Sequence, residues 1–151
     1  MKIRDFLTLS QVVTDVRASD KARLLNDLAH LAAAELQLSP EVISSALLKR
    51  EELGSTGTGG GVAIPHARLL GVSMPFGMLA LLSKAIKFDA IDGKPVDVVF
   101  LLLLPSNLQH GQLNPLACAA RALRNAEVLQ SLRRADGRAQ AYRALCAESE
   151  H

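Results

Sequence analysis

The chain has 151 residues, 49% hydrophobic and 21% charged, which suits one globular domain over residues 1–151 with a sizeable core. A net charge of +2 and 3% aromatic residues supply neither a strong basic patch nor base-stacking platforms, so nucleic acid is not expected as a partner. The two cysteines, Cys118 and Cys146, are not spaced as a metal knuckle or redox pair. The longest apolar run falls short of a membrane helix and no apolar leader follows Met1, so a cytoplasmic protein without membrane insertion is expected.

Met1 to Ser10 holds at most a short helical turn. Val12, Val13 and Val16 read as a first strand. Ser19 is a good N-cap for a helix to about Leu36, with Leu24, Leu25, Leu28, Leu31 and Ala32 on one face. Ser39 then Pro40 predicts a second helix that ends near Glu52, with Gly54 as its stop. Val62–Ile64, Gly77–Ser83 and Val96–Leu104 read as strands. The run from Val98 to Leu104 has no polar residue, the pattern of a strand buried on both faces. Helices are predicted at about Gln112–Leu123, Ala126–Leu132 and Gly137–Cys146. This order predicts an α/β fold, a three-layer α/β/α sandwich.

Between the second helix and the next strand lies Gly54-Ser55-Thr56-Gly57-Thr58-Gly59-Gly60-Gly61, running into Val62-Ala63-Ile64-Pro65-His66. Glycine lets backbone N–H groups approach an anion closely, and Pro65 restricts the chain that presents His66 at the end of its strand. Nucleotide motifs fail here. A dinucleotide fingerprint from Gly57 meets Val62 where glycine or alanine is needed, and a P-loop from Gly54 has glycine where lysine and a hydroxyl residue are needed. No serine elbow and no zinc-protease helix is present. His66 therefore reads either as a packed loop histidine or as a phosphate acceptor beside an anion cradle. Arg50 reads either as a cation on its helix dipole or as a guanidinium aimed at phosphate oxygens. His30, His110 and His151 read as helix, loop and terminal residues.

Three segments carry a family resemblance: Arg50-Glu51-Glu52-Leu53-Gly54-Ser55-Thr56-Gly57 with Gly59 and Val62–His66, then Asp92–Leu102, then Leu116–Arg124. In order and spacing they resemble enzyme IIA of the fructose, mannitol and nitrogen-regulatory branch of the bacterial phosphotransferase system (PTS), in its free-standing nitrogen-regulatory form. The resemblance implies a single type-2 EIIA domain over 1–151 and an α/β/α sandwich with a mixed sheet. It implies that His66 is the phosphoacceptor, forming a tele-type phosphohistidine, and that Arg50 stabilises the phosphate. Ser55, Thr56, Gly57 and Gly59 are expected to bind phosphate. The family's usual second histidine is Gln112 here, which is expected to bind phosphate only as a hydrogen-bond donor, since it cannot be a cationic partner.

The expected function is that of a phosphotransferase component. Phosphate arrives from an HPr-like phosphohistidine carrier, and target proteins, such as potassium transporters or sensor kinases in relatives, respond to phosphorylation state. The alternative is a sugar-specific IIA passing phosphate to a IIB permease domain; a never-phosphorylated binding module is a third. The absence of a fused IIB or membrane segment favours the regulatory reading. No metal or other cofactor is expected. Val62, Leu69, Leu70, Phe76 and Met78 are candidates for an apolar docking rim.

Overall fold

The computed structural model describes residues 1–108 and 114–148. The described residues form six strands: β1 Val12–Val16, β2 Gly57–Gly59, β3 Val62–Ala63, β4 His66–Leu69, β5 Phe76–Ile86 and β6 Val96–Pro105. Five α-helices accompany them: α1 Lys21–Leu36, α2 Pro40–Glu52, α3 Pro115–Arg124, α4 Ala126–Arg133 and α5 Arg138–Glu148. The amino-terminal segment forms two short 3-10 turns, Ile3–Asp5 and Leu9–Gln11.

The sheet is mixed, in the order β1-β5-β6-β3-β2, with β4 also paired to β6. β1 runs parallel to β5, β5 antiparallel to β6, and β3 and β4 parallel to β6. Successive side chains of β6 point to opposite faces. Val99, Leu101 and Leu103 pack with Leu24, Leu25 and Leu28 of α1 and Ile43 and Leu47 of α2. Val98, Phe100 and Leu102 pack with Ile3, Phe6, Leu123, Leu132 and Leu145 on the other side. The expected three layers are therefore present, and the unbroken apolar run is explained by helices over both faces of the central strand.

Local differences have local causes. Asp20, not Ser19, caps α1: its Oδ1 accepts the Arg23 N–H at 2.8 Å. Pro40 opens α2 as expected, but the Ser39 hydroxyl donates to Glu41 at 2.8 Å and does not cap the helix backbone. The predicted start of the third helix at Gln112 lies outside the described residues. Within them, α3 opens at Pro115, and Asn114 Oδ1 accepts the Ala117 N–H at 3.1 Å.

His66 opens β4 and does not close the preceding strand, as the sequence suggested. Val62 and Ala63 oppose Val98 and Val99, and His66 and Ala67 oppose Leu102 and Leu103. The register is thus continuous across Ile64-Pro65: β3 and β4 are one parallel strand interrupted where Pro65 has no N–H for the ladder. Pro65 still accepts the Leu102 N–H at 2.9 Å.

Candidate functional site

Gly54–His66 forms an antiparallel hairpin on the sheet, with Gly57 opposite Ala63 and Gly59 opposite Val62. Gly59, Gly60 and Gly61 have φ of 102°, 67° and 82°, the left-handed region that admits glycine readily. Acceptors within the protein already engage several of the hairpin's donors. The Thr56 N–H donates to the Glu51 carboxylate at 3.2 and 3.3 Å, and the Thr56 hydroxyl bonds the same group. Ser55 Oγ donates to the Phe88 carbonyl at 2.8 Å and accepts the Gly57 N–H at 3.0 Å. The Gly60 N–H donates to Asp92 Oδ2 at 3.0 Å, and the Gly60 carbonyl accepts from Arg133 at 2.8 Å. This backbone N–H, with that of Lys94, holds the Asp92 carboxyl below the usual carboxylate range.

Gly57 answers a packing demand. A Cβ there would lie 2.7 Å from Ala90 Cβ and 2.8 Å from Ala90 Cα. At Gly61 it would strike the Arg133 guanidinium and approach Asp97 Oδ1 to 2.9 Å. Arg133 holds Asp97 in a two-toothed ion pair, with 2.8 and 3.0 Å contacts, that ties α4 to β6, while its bond to the Gly60 carbonyl reaches the hairpin tip.

His66 is half-buried, and its Nδ1 lies 2.9 Å from the Ile64 carbonyl. A carbonyl oxygen only accepts, so Nδ1 carries the proton and Nε2 is left with its lone pair. His66 lines a shallow depression of about 450 Å³ with Ala46, Lys49, Arg50, Leu53, Ala67 and Arg68. Arg50 donates to the Gly54 carbonyl at 2.9 Å, and Arg68 to the Leu108 carbonyl at 2.7 Å. Among the described residues no carboxylate lines the depression and none of the three cations forms an ion pair.

The structure therefore brings Arg50 and His66 together. Ser55, Thr56, Gly57 and Gly59 do not line this depression; they build the hairpin that leads to His66. Gln112 and His110 lie outside the described residues. His30 is exposed, its Nδ1 2.9 Å from the Asn26 carbonyl. Lys49 and Arg68 are additions to the expected site. Ala46, Lys49, Arg50 and Leu53 fall at helical spacing, which puts them on one face of α2 and its end. Arg68, two residues beyond His66 on β4, shares its face.

The expected docking rim needs correction. Val62, Leu69, Phe76 and Met78 are at most 5% exposed, because strands between two helical layers turn those side chains into the core. Leu70 alone of that group is on the surface, at 84% exposure, and Leu53 joins it with the same exposure.

Residues 5–147 match the family described as phosphoenolpyruvate-dependent sugar phosphotransferase system, EIIA 2. The chain belongs to this family. It is 38% identical over 133 residues to a nitrogen regulatory protein of Bradyrhizobium diazoefficiens, covering 88% of this chain and 87% of the relative. It is 38% identical over 136 residues to a nitrogen regulatory protein of Pseudomonas aeruginosa, covering 89% and 88%. The crystal structure of nitrogen regulatory protein IIA-Ntr from Neisseria meningitidis superposes with a TM-score of 0.88 at 36% identity, covering 95% of this chain and 98% of that one. As an EIIA-2 chain, the protein is a phosphotransfer component of a system that works with phosphocarrier proteins. Among the described residues no helix is long and apolar enough to cross a membrane, and no three His, Cys, Asp or Glu side chains converge as metal ligands.

Proposed function

We propose that this IIA chain accepts a phosphoryl group on His66 Nε2 from an HPr-like phosphohistidine carrier, and that its phosphorylation state regulates target proteins. One observation carries the reading: His66 Nδ1 is tied to a carbonyl, and the same ring lines a depression with three cations and, among the described residues, no carboxylate. The resemblance to nitrogen regulatory proteins over most of both chains supports the regulatory role.

In the transfer, the Nε2 lone pair attacks phosphorus in line as the bond from phosphorus to the carrier imidazole breaks. The carrier imidazole leaves with that electron pair, and the proton stays on His66 Nδ1, still donated to the Ile64 carbonyl. One P–N bond replaces another, so the step is close to reversible. Arg50 holds the phosphoryl oxygens, and Lys49 and Arg68 add positive charge where negative charge gathers. Exposed Leu53 and Leu70 supply apolar contact for a carrier that must also leave.

Intact-protein mass spectrometry after incubation with enzyme I, carrier and phosphoenolpyruvate tests the reading. The expected product gains one acid-labile phosphate that His66→Ala lacks. Equal labelling of His66→Ala and the unmodified chain would overturn it. Permease IIB, offered to the phosphorylated chain, is expected to take little of the label.

A further inference from the structure

Among the described residues Thr56 is the buried polar one, 5% exposed, and Glu51 explains why it is tolerated there. The Glu51 side chain is 6% exposed and Lys21 19%, and Lys21 Nζ lies 2.5 Å from Glu51 Oε2. Lys21 also reaches the Phe88 carbonyl at 3.3 Å and sits 4.6 Å from the centre of the Phe88 ring. Four segments meet here: the first turn of α1, the last turn of α2, the start of the hairpin, and the chain just after β5.

This placement is costly. A buried ion pair loses the hydration of both groups, and an apolar pair of similar volume often serves stability as well. A carboxylate in the last turn of a helix also opposes the helix dipole. Stability alone does not account for the pair.

Its connections do. The Glu51 carboxylate takes the Thr56 N–H and hydroxyl. The Thr56 carbonyl takes the Ile64 N–H at 3.0 Å. The Ile64 carbonyl accepts the hydrogen bond from His66 Nδ1–H, N···O 2.9 Å. We infer that Glu51, held by Lys21, is a positioning residue: it anchors the hairpin at Thr56 so that the Ile64 carbonyl stays on His66 Nδ1 and Nε2 stays the free nitrogen. Glu51 touches neither His66 nor the depression, so it acts through Thr56 and Ile64. Its effect on transfer presupposes that His66 is the phosphoryl acceptor; its effect on the imidazole does not.

The test is nitrogen-15 NMR of the imidazole rings in the full chain at neutral pH, with His66→Ala assigning the signals. The unmodified chain should show His66 protonated on Nδ1. Glu51→Gln keeps the size but cannot hold Lys21 by charge. Lys21→Met leaves the carboxylate unpaired, so it turns to solvent and releases Thr56. Both should give a mixture of Nδ1–H and Nε2–H forms, and Lys21→Arg should restore the single form. Transfer from the phosphorylated carrier should slow roughly 10- to 100-fold in Glu51→Gln, the scale of a displaced reacting group, with the carrier KM unchanged. Folding is checked by circular dichroism, and the two independent variants guard against the loss of either.

A folded Glu51→Gln whose His66 keeps the undiminished Nδ1–H form overturns the inference, as does an unmodified chain lacking that form. If the unmodified chain takes no phosphate on His66, the proposed function falls, and the imidazole comparison alone still decides the role of Glu51.

Discussion

Adding one methyl group at Gly57 separates two explanations of the glycine-rich segment. If glycine is there to admit an external anion, alanine at 57 should spare stability and weaken phosphate handling. If glycine is there because the hairpin backbone packs against Ala90, alanine should destabilise the fold. The new Cβ would sit 2.7 and 2.8 Å from Ala90 Cβ and Cα, and no positive φ is involved, so the effect is steric. Ala90 is 8% exposed, and the Gly57 carbonyl accepts the Ile91 N–H at 3.2 Å, which holds the two backbones together. Neither side yields by rotating a side chain, so the expected cost is that of overpacking a closed site, about 1–3 kcal/mol. For a chain of this size that is a melting-temperature drop of roughly 2–12 °C. Gly57→Ala and Gly57→Ala/Ala90→Gly should be melted by calorimetry. The second substitution removes the 2.7 Å contact but not the 2.8 Å one, so partial recovery is expected. A Gly57→Ala melting temperature within about 1 °C of the unmodified chain would refute the packing explanation.

Gly60 offers the contrast: nothing lies within 4 Å of its added Cβ, and its φ of 67° is the only obstacle. Gly60→Ala should cost about 1 kcal/mol and Gly60→Asn less, measured by urea denaturation, because asparagine tolerates the left-handed region. Arg133→Ala removes the Asp97 ion pair and the bond to the Gly60 carbonyl. Because the pair is over a third exposed on the arginine side, the loss should be small, about 0.5–1 kcal/mol, with faster hydrogen exchange at the hairpin tip. The Asp92 carboxyl is held below the usual range by the Gly60 and Lys94 N–H groups. Its bond to Gly60 is thus fully present above the ordinary carboxylate pKa and is lost as pH falls through the lowered value. Gly60 amide protection should hold from neutral pH to about pH 4 and fall below it, and Asp92→Asn should abolish that dependence.

The central strand was plain in the sequence because Val98–Leu104 is apolar throughout, a pattern that needs cover on both faces. Pro40 marked the start of α2 because its fixed φ suits the first helical turn and its missing N–H has no helical partner there. The short strands were hidden. Gly57–Gly59 has no strand propensity; its pairing comes from Ala63 and Val62 across the hairpin. His66–Leu69 was hidden by Pro65, which reads as a terminator though the register runs past it. At the site, a local pattern singled out His66 and Arg50, which the structure brings to one depression. Lys49 could have been found from its place beside Arg50 on the helix face that carries Ala46 and Leu53. Arg68 needed His66 to be read as opening a strand, and Glu51 could not be found at all. A glutamate in the last turn of a helix looks solvated; only its partner 30 residues earlier in the chain, Lys21, brings it inside.

These positions divide the electrostatic work between two sides of one hairpin. Two donors that an open glycine loop would offer to phosphate, the Thr56 and Gly60 N–H groups, are spent on internal carboxylates, Glu51 at one end and Asp92 at the other. An external anion competing for Thr56 would have to displace a buried carboxylate and strand Lys21, so the hairpin is a poor host for a transferred group. Positive charge without an internal carboxylate lies on the other side, where Lys49 and Arg50 from α2 and Arg68 from β4 line the depression with His66. Charge that is not neutralised within the protein is available to a guest whose negative charge comes and goes. On the proposed function, the hairpin would fix the acceptor nitrogen and the cations outside any ion pair would meet the phosphate; a loop that did both would change shape each time the phosphate left. Charge reversal should expose this division. Arg68→Glu should slow transfer from the carrier and steepen neither the melting curve nor its pH dependence, whereas Glu51→Gln should disturb the hairpin and leave carrier KM alone.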